Sequence, residues 1–145
     1  MLSLWLIAIV GTVPFTLISY TDGLWGETAS VSEGINAIVF ILFWFISSAY
    51  MGYNQKKYFL KFSLIYFTYL ILSSLLGFIN ALFGLAIIAI LLAAPFTGLG
   101  YFITTDANLI IWGSVATLVI VAIGYYGGTY FSEKVKRVSV KEMSS

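Results

Sequence analysis

Apolar runs separated by short polar stretches divide the chain into five hydrophobic segments, at about 2–20, 34–53, 58–76, 81–103 and 108–131. The runs are continuous rather than alternating with a period of two. They therefore predict membrane-crossing helices and not outer-membrane strands. The expected fold is all-α: a polytopic helical membrane bundle over 1–132, then a polar, basic tail over 133–145.

The boundary between the third and fourth segments is the least obvious. Ser63 to Ile103 is 41 residues without a charge. A single straight helix of that length would reach about 60 Å at ~1.5 Å per residue, twice the ~30 Å of a hydrocarbon core. The stretch must turn, and Gly77-Phe78-Ile79-Asn80 supplies the permissive residues. Ala94-Pro95-Phe96-Thr97-Gly98-Leu99-Gly100 marks a second break or loosened turn further on.

Local signals refine the other segments. Pro14 lies inside the first and predicts a kink or tightening there. The segment lacks a basic n-region and a small-residue cleavage site, so it reads as a retained span rather than a secretory signal. Ser30 or Ser32, with Glu33 following, can start the second helix. Ser48/Gly52, Ser73/Gly77 and Gly124/Gly128 are small-xxx-small pairs suited to close helix packing. Tyrosines flank the ends of the second and last segments as an interfacial belt would.

Charge raises a conflict. Lys56, Lys57 and Lys61 form one basic cluster, and Lys134, Lys136, Arg137 and Lys141 the other. Five crossings place these clusters on opposite sides, three against four. Four crossings with a re-entrant segment place all seven together, a far better positive-inside pattern. Hydropathy favours five crossings and charge favours four. The length of each half of the 41-residue stretch tips the sequence reading to five, with orientation open.

An internal echo bears on the same question. Pro14-Phe15-Thr16 recurs as Pro95-Phe96-Thr97, each followed by a tyrosine (Tyr20, Tyr101) and a Thr-Asp pair (Thr21-Asp22, Thr105-Asp106). With five helices, helices 1–2 would match helices 4–5 as inverted repeats, a transporter pattern.

Composition narrows the chemistry. Charged residues make up 9% of the chain, against about 25% in soluble domains. With no Cys and no His, there is no thiolate, no disulfide and no imidazole base or ligand. HExxH, P-loop and GxGxxG patterns do not occur, and no nucleophile elbow is present. No enzyme activity, cofactor, metal set or nucleic-acid footprint is expected. The three carboxylates Asp22, Glu27 and Glu33 lack the ligand spacing of a Ca²⁺ loop and read as a solvated acidic loop.

Two patches resemble a known group. Met51-Gly52-Tyr53 with Lys56-Lys57-Tyr58-Phe59-Leu60-Lys61-Phe62-Ser63, and Ala94-Pro95 with Gly98-Leu99-Gly100-Tyr101-Phe102, are similar to small uncharacterised multi-pass membrane proteins of low-GC Gram-positive bacteria. The resemblance implies a bacterial cell membrane. It implies no activity and no site.

The candidate functional residues are few. Asp106 is the lone charge between Phe62 and Ser132, suited to cation coupling if membrane-embedded and to an interfacial loop otherwise. Asn80 is a substrate-facing or packing polar group. Pro95, Gly98 and Gly100 form a simple kink, or a broken helix whose free backbone groups meet an ion. The expected partners are the lipid bilayer, with another membrane protein or a second copy. The leading functional reading is a non-enzymatic accessory or interaction protein. A small oligomeric transporter or channel is the alternative, and a holin-like pore former the third reading.

Overall fold

The computed structural model describes residues 2–23, 29–76, 92–103 and 109–143, all helices, turns and short connections without a strand. Helix α1 is Leu2–Gly23, α2 is Val31–Tyr53 and α3 is Tyr58–Leu76. Helix α4, seen over 92–97, runs into a 3₁₀ turn at Gly98–Tyr101. Helix α5 is Leu109–Met143.

Among the described residues, three helices are long and apolar enough to cross a membrane: Val31–Tyr53, Tyr58–Leu75 and Leu109–Val138. The apolar stretch of α1, Ile9–Ser19, is shorter. The expectation of five spans is thus met by three. The span expected at 81–103 lies mostly outside the described residues, as does the turn at Gly77–Asn80. What is described of it is a short helix that gives way at Gly98.

Local chemistry explains the helix ends. Ser30 is the N-cap of α2: its Oγ accepts the Glu33 N–H at 3.3 Å, and the Glu33 carboxylate accepts the Ser30 N–H at 2.7 Å. At the other end, Lys56 N–H donates to Met51 O and Gln55 N–H to Gly52 O, both at 2.9 Å. This pairing closes the helix with Gln55 in the left-handed region at φ 54°. The turn is short enough that Phe59 N–H already reaches Lys56 O as α3 begins.

Helices α2 and α5 run parallel. Their small residues interlock: a Cβ on Gly124 would meet Ser48 Oγ, one on Gly128 the Ala49 carbonyl, and one on Gly52 the Tyr125 carbonyl. Thr129 Oγ1 adds hydrogen bonds to Gly52 O at 3.2 Å and to Tyr125 O at 3.0 Å. Ser48/Gly52 and Gly124/Gly128 are therefore two facing pairs within one chain. Close approach of backbones is what such pairs provide where lipid is as apolar as the side chains.

Helices α1 and α3 are antiparallel to α2. Gly11 of α1 packs on Phe43, while Asn36, nearer the start of α2, reaches Phe15 O and Ser19 Oγ further along α1. Trp44, midway along α2, stacks on Tyr66 and Phe67, midway along α3, with ring centroids 5.1 Å apart in each case. The core is aromatic: Phe40, Trp44, Phe59, Phe67 and Phe96 are fully buried.

These directions settle the order of the ends. Helix α3 leaves the Tyr53 end of α2 and finishes towards its Ser30 end. Helix α5 also starts towards the Ser30 end, since Gly113 packs on Phe96 and Leu99 while Gly98 packs on Glu33. The chain from Leu76 to Leu109 thus returns to the end it left. Both basic clusters lie at the Tyr53 end: Lys56 and Lys57 in the turn, Lys61 in the first turn of α3, and Lys134, Lys136 and Arg137 beyond Thr129.

The same parallel arrangement corrects the inverted-repeat expectation. Helices α1 and α4 both run towards the Ser30 end, and α2 and α5 both run away from it. The two Pro-Phe-Thr sequences are nonetheless placed alike. Phe15 and Phe96 both meet Phe40 edge-on, at centroid distances of 5.5 and 5.3 Å.

Candidate functional site

The Ser30 end of α2 gathers the buried polar groups. The capping box that starts the helix turns Glu33 inward, and the carboxylate is 2% exposed. Its Oε2 accepts from Ser30 N–H, whereas Oε1 is buried with no hydrogen-bond partner. The α4 segment packs on the backbone of this turn. Pro95 and Phe96 are fully buried, and Gly98 lies so close to the Glu33 carbonyl that a Cβ there would overlap it. Tyr101 and Phe102 then lie over Gly34.

One turn below Glu33, Asn36 joins α1 to α2. Its Nδ2 donates to Phe15 O at 2.9 Å and to Ser19 Oγ at 2.7 Å, which leaves the amide oxygen for another partner. Thr12, Thr16 and Ser19 are buried along the same side of α1, at helical spacing. Thr12 Oγ1 lies 3.1 Å from Tyr66 OH on α3. A polar seam therefore runs from Glu33 down between α1 and α2 to the middle of the bundle. Beside its lower end, Ile9, Thr12, Val13, Phe62, Ile65 and Tyr66 contribute to a largely apolar cleft of about 350 Å³.

Electrostatics divides the bundle by its ends. No Lys or Arg occurs between Met1 and Asn54 or between Phe62 and Glu133, and the chain has no His. Among the described residues, the Ser30 end holds the Glu33 carboxylate and no basic side chain to pair with it. Among the described residues, no group of three or more Asp, Glu, His or Cys side chains converges as a polydentate metal site would.

The sequence-predicted residues fare differently. Pro95, Gly98 and Gly100 do come together, as the segment over Glu33. The kink reading fits them: Thr97 Oγ1 donates to Ala94 O at 2.7 Å, and Leu99 O accepts from Phe102 N–H at 3.0 Å, so these carbonyls are locally satisfied. Asp106 and Asn80 lie outside the described residues. Glu33 and Asn36 were missed as site residues, because Glu33 reads as part of a solvated acidic loop. The signal for Glu33 was Ser30-x-x-Glu33, a capping box that orients the carboxylate back over the helix. Asn36 stood out as an amide in an otherwise apolar run.

No family model, curated protein or solved structure matches the chain.

Proposed function

We propose that the chain is a four-crossing protein of a bacterial cell membrane, with a non-enzymatic accessory role exerted through the helix that projects from its basic end. Placing the basic end in the cytoplasm satisfies the positive-inside rule for all seven basic residues. Helix α1 supplies the fourth crossing, and Leu76 and Leu109 stand towards the same end of the bundle. The resemblance of the lysine-rich turn and the Pro-Gly segment to small Gram-positive membrane proteins supports the bacterial setting.

The observation that carries the functional reading is the length and surface of α5. At 35 residues it extends about 52 Å, well beyond a ~30 Å hydrocarbon core. Exposed Tyr126 and Tyr130 suit the interface. Ser132 is still 5% exposed, and the helix runs on to Met143. There Phe131, Val135 and Val138 are 61%, 45% and 51% exposed at i, i+4, i+7 spacing. Lys134, Lys136 and Arg137 flank that apolar stripe. A basic amphipathic helix of this kind suits a groove with an apolar floor and an acidic rim on a partner protein. The glycine faces do not serve this role, because α2 and α5 use them on each other.

A photoreactive side chain at Val138 tests the reading in native membranes. One discrete heavier adduct is expected, weakened several-fold by Lys134→Glu with Arg137→Glu, and none from the same group at lipid-facing Ile65. A chain that stays solitary with the probe at both Val135 and Val138 would sink it.

A further inference from the structure

We propose that the buried Glu33 carboxylate, at the Ser30 end of the bundle, binds one monovalent cation. The site is built rather than superficial. Glu33 is 2% exposed, its Oε2 is taken by Ser30 N–H, and its Oε1 is buried without a partner. A buried carboxylate oxygen without a partner is costly unless a positive charge or a donor reaches it. The start of α2 supplies part of that charge through its aligned N–H groups.

The rest cannot come from the chain itself. Its seven basic residues are Lys56, Lys57, Lys61, Lys134, Lys136, Arg137 and Lys141, and there is no His. Those described stand at the far end of the bundle. Asp22 lies in the last turn of α1, and Tyr101 packs over Gly34, the neighbour of Glu33.

The donor set suits a single positive charge. One carboxylate oxygen is free, the amide oxygen of Asn36 lies one turn below on the same helix face, and no group of three or more Asp, Glu, His or Cys side chains converges among the described residues. A divalent ion would demand more anionic ligands than this. A sodium ion or a potassium ion brings the one charge required. The proposal is independent of any partner at the basic end.

Thermal unfolding of the purified full chain in non-ionic detergent distinguishes these sources. Choline chloride, sodium chloride and potassium chloride are compared at one ionic strength and neutral pH. The unfolding midpoint of the unaltered chain is expected to rise by about 4 °C with one cation over choline, as for a ligand at about tenfold its Kd. Sodium or potassium, whichever acts, names the ion. Glu33→Gln keeps an acceptor for Ser30 N–H without the charge, and its midpoint is expected to be insensitive to all three. Glu133→Gln, at the opposite end, is expected to keep the response. If Glu33→Gln does not fold, Glu33→Asp replaces it, and the response is expected to fall as the carboxylate retracts from the turn. An unaltered chain indifferent to every medium overturns the proposal. So does a response that survives intact in the Glu33 variant, or one that is lost in Glu133→Gln.

Discussion

Gly128→Ala is expected to cost about 2–3 kcal/mol of stability, the upper part of the range for overpacking a tight core, while Gly127→Ala is expected to be neutral or slightly stabilising. The two residues are neighbours on α5 and differ in what a methyl group would meet. At Gly128 it would strike the Ala49 carbonyl and approach Tyr53 N at 2.9 Å, both backbone of α2. No rotamer change relieves a clash with backbone, so the helices must part. Parting them also loosens Gly52 against Tyr125, and the hydrogen bond from Thr129 Oγ1 to Gly52 O. At Gly127 nothing lies within 4 Å, and alanine is the better helix former by about 1 kcal/mol. Unfolding of the two variants in detergent, by heat or denaturant, gives the comparison. Equal stability for both would mean that α2 and α5 do not pack as described.

Phe40→Ala is expected to cost about 3–5 kcal/mol, the usual range for deleting a buried aromatic side chain. Phe40 is fully buried and joins three parts of the fold. Phe15 of α1 lies against one side at 5.5 Å and Phe96 of α4 at 5.3 Å, both edge-on, and Trp44 follows at 6.4 Å. Within a membrane the driving force is packing rather than transfer from water, so the cavity left behind is the main cost. Phe40→Leu fills part of that cavity and is expected to cost roughly half as much. Equilibrium unfolding of both variants measures this. A Phe40→Ala chain as stable as the original would show that Phe15 and Phe96 do not converge on it.

Much of the helix layout was legible in the sequence. The segments read at 34–53 and 58–76 appear as Val31–Tyr53 and Tyr58–Leu76, because continuous apolar runs bounded by Ser30 and by Asn54–Lys57 leave little choice. The polar tail expected from 133 continues the last helix, since α5 runs on to Met143. The net number of crossings was not legible. Hydropathy measures whether a stretch can span, and 41 uncharged residues can span twice or turn back. The parallel packing of α2 on α5 brings both basic clusters to one end, and that depends on Gly52, Gly124 and Gly128 finding each other. Small-residue pairs announce a close approach. They do not say whether the neighbour is in the same chain. The burial of Glu33 was hidden for a similar reason. Its capping role is local and readable, but Gly98, which packs on its carbonyl, comes 65 positions later in the chain.

The claim on which the account rests is that the two basic clusters share one end of the bundle. The chain has no native cysteine, so single cysteines can report sidedness without background. With membrane-impermeant thiol reagents on oriented vesicles, Asn54→Cys and Glu133→Cys are expected to label from the same side. Ser32→Cys and Tyr101→Cys are expected to label from the other. Labelling of Asn54→Cys and Glu133→Cys from opposite sides would contradict the parallel arrangement of α2 and α5, and with it the four-crossing reading.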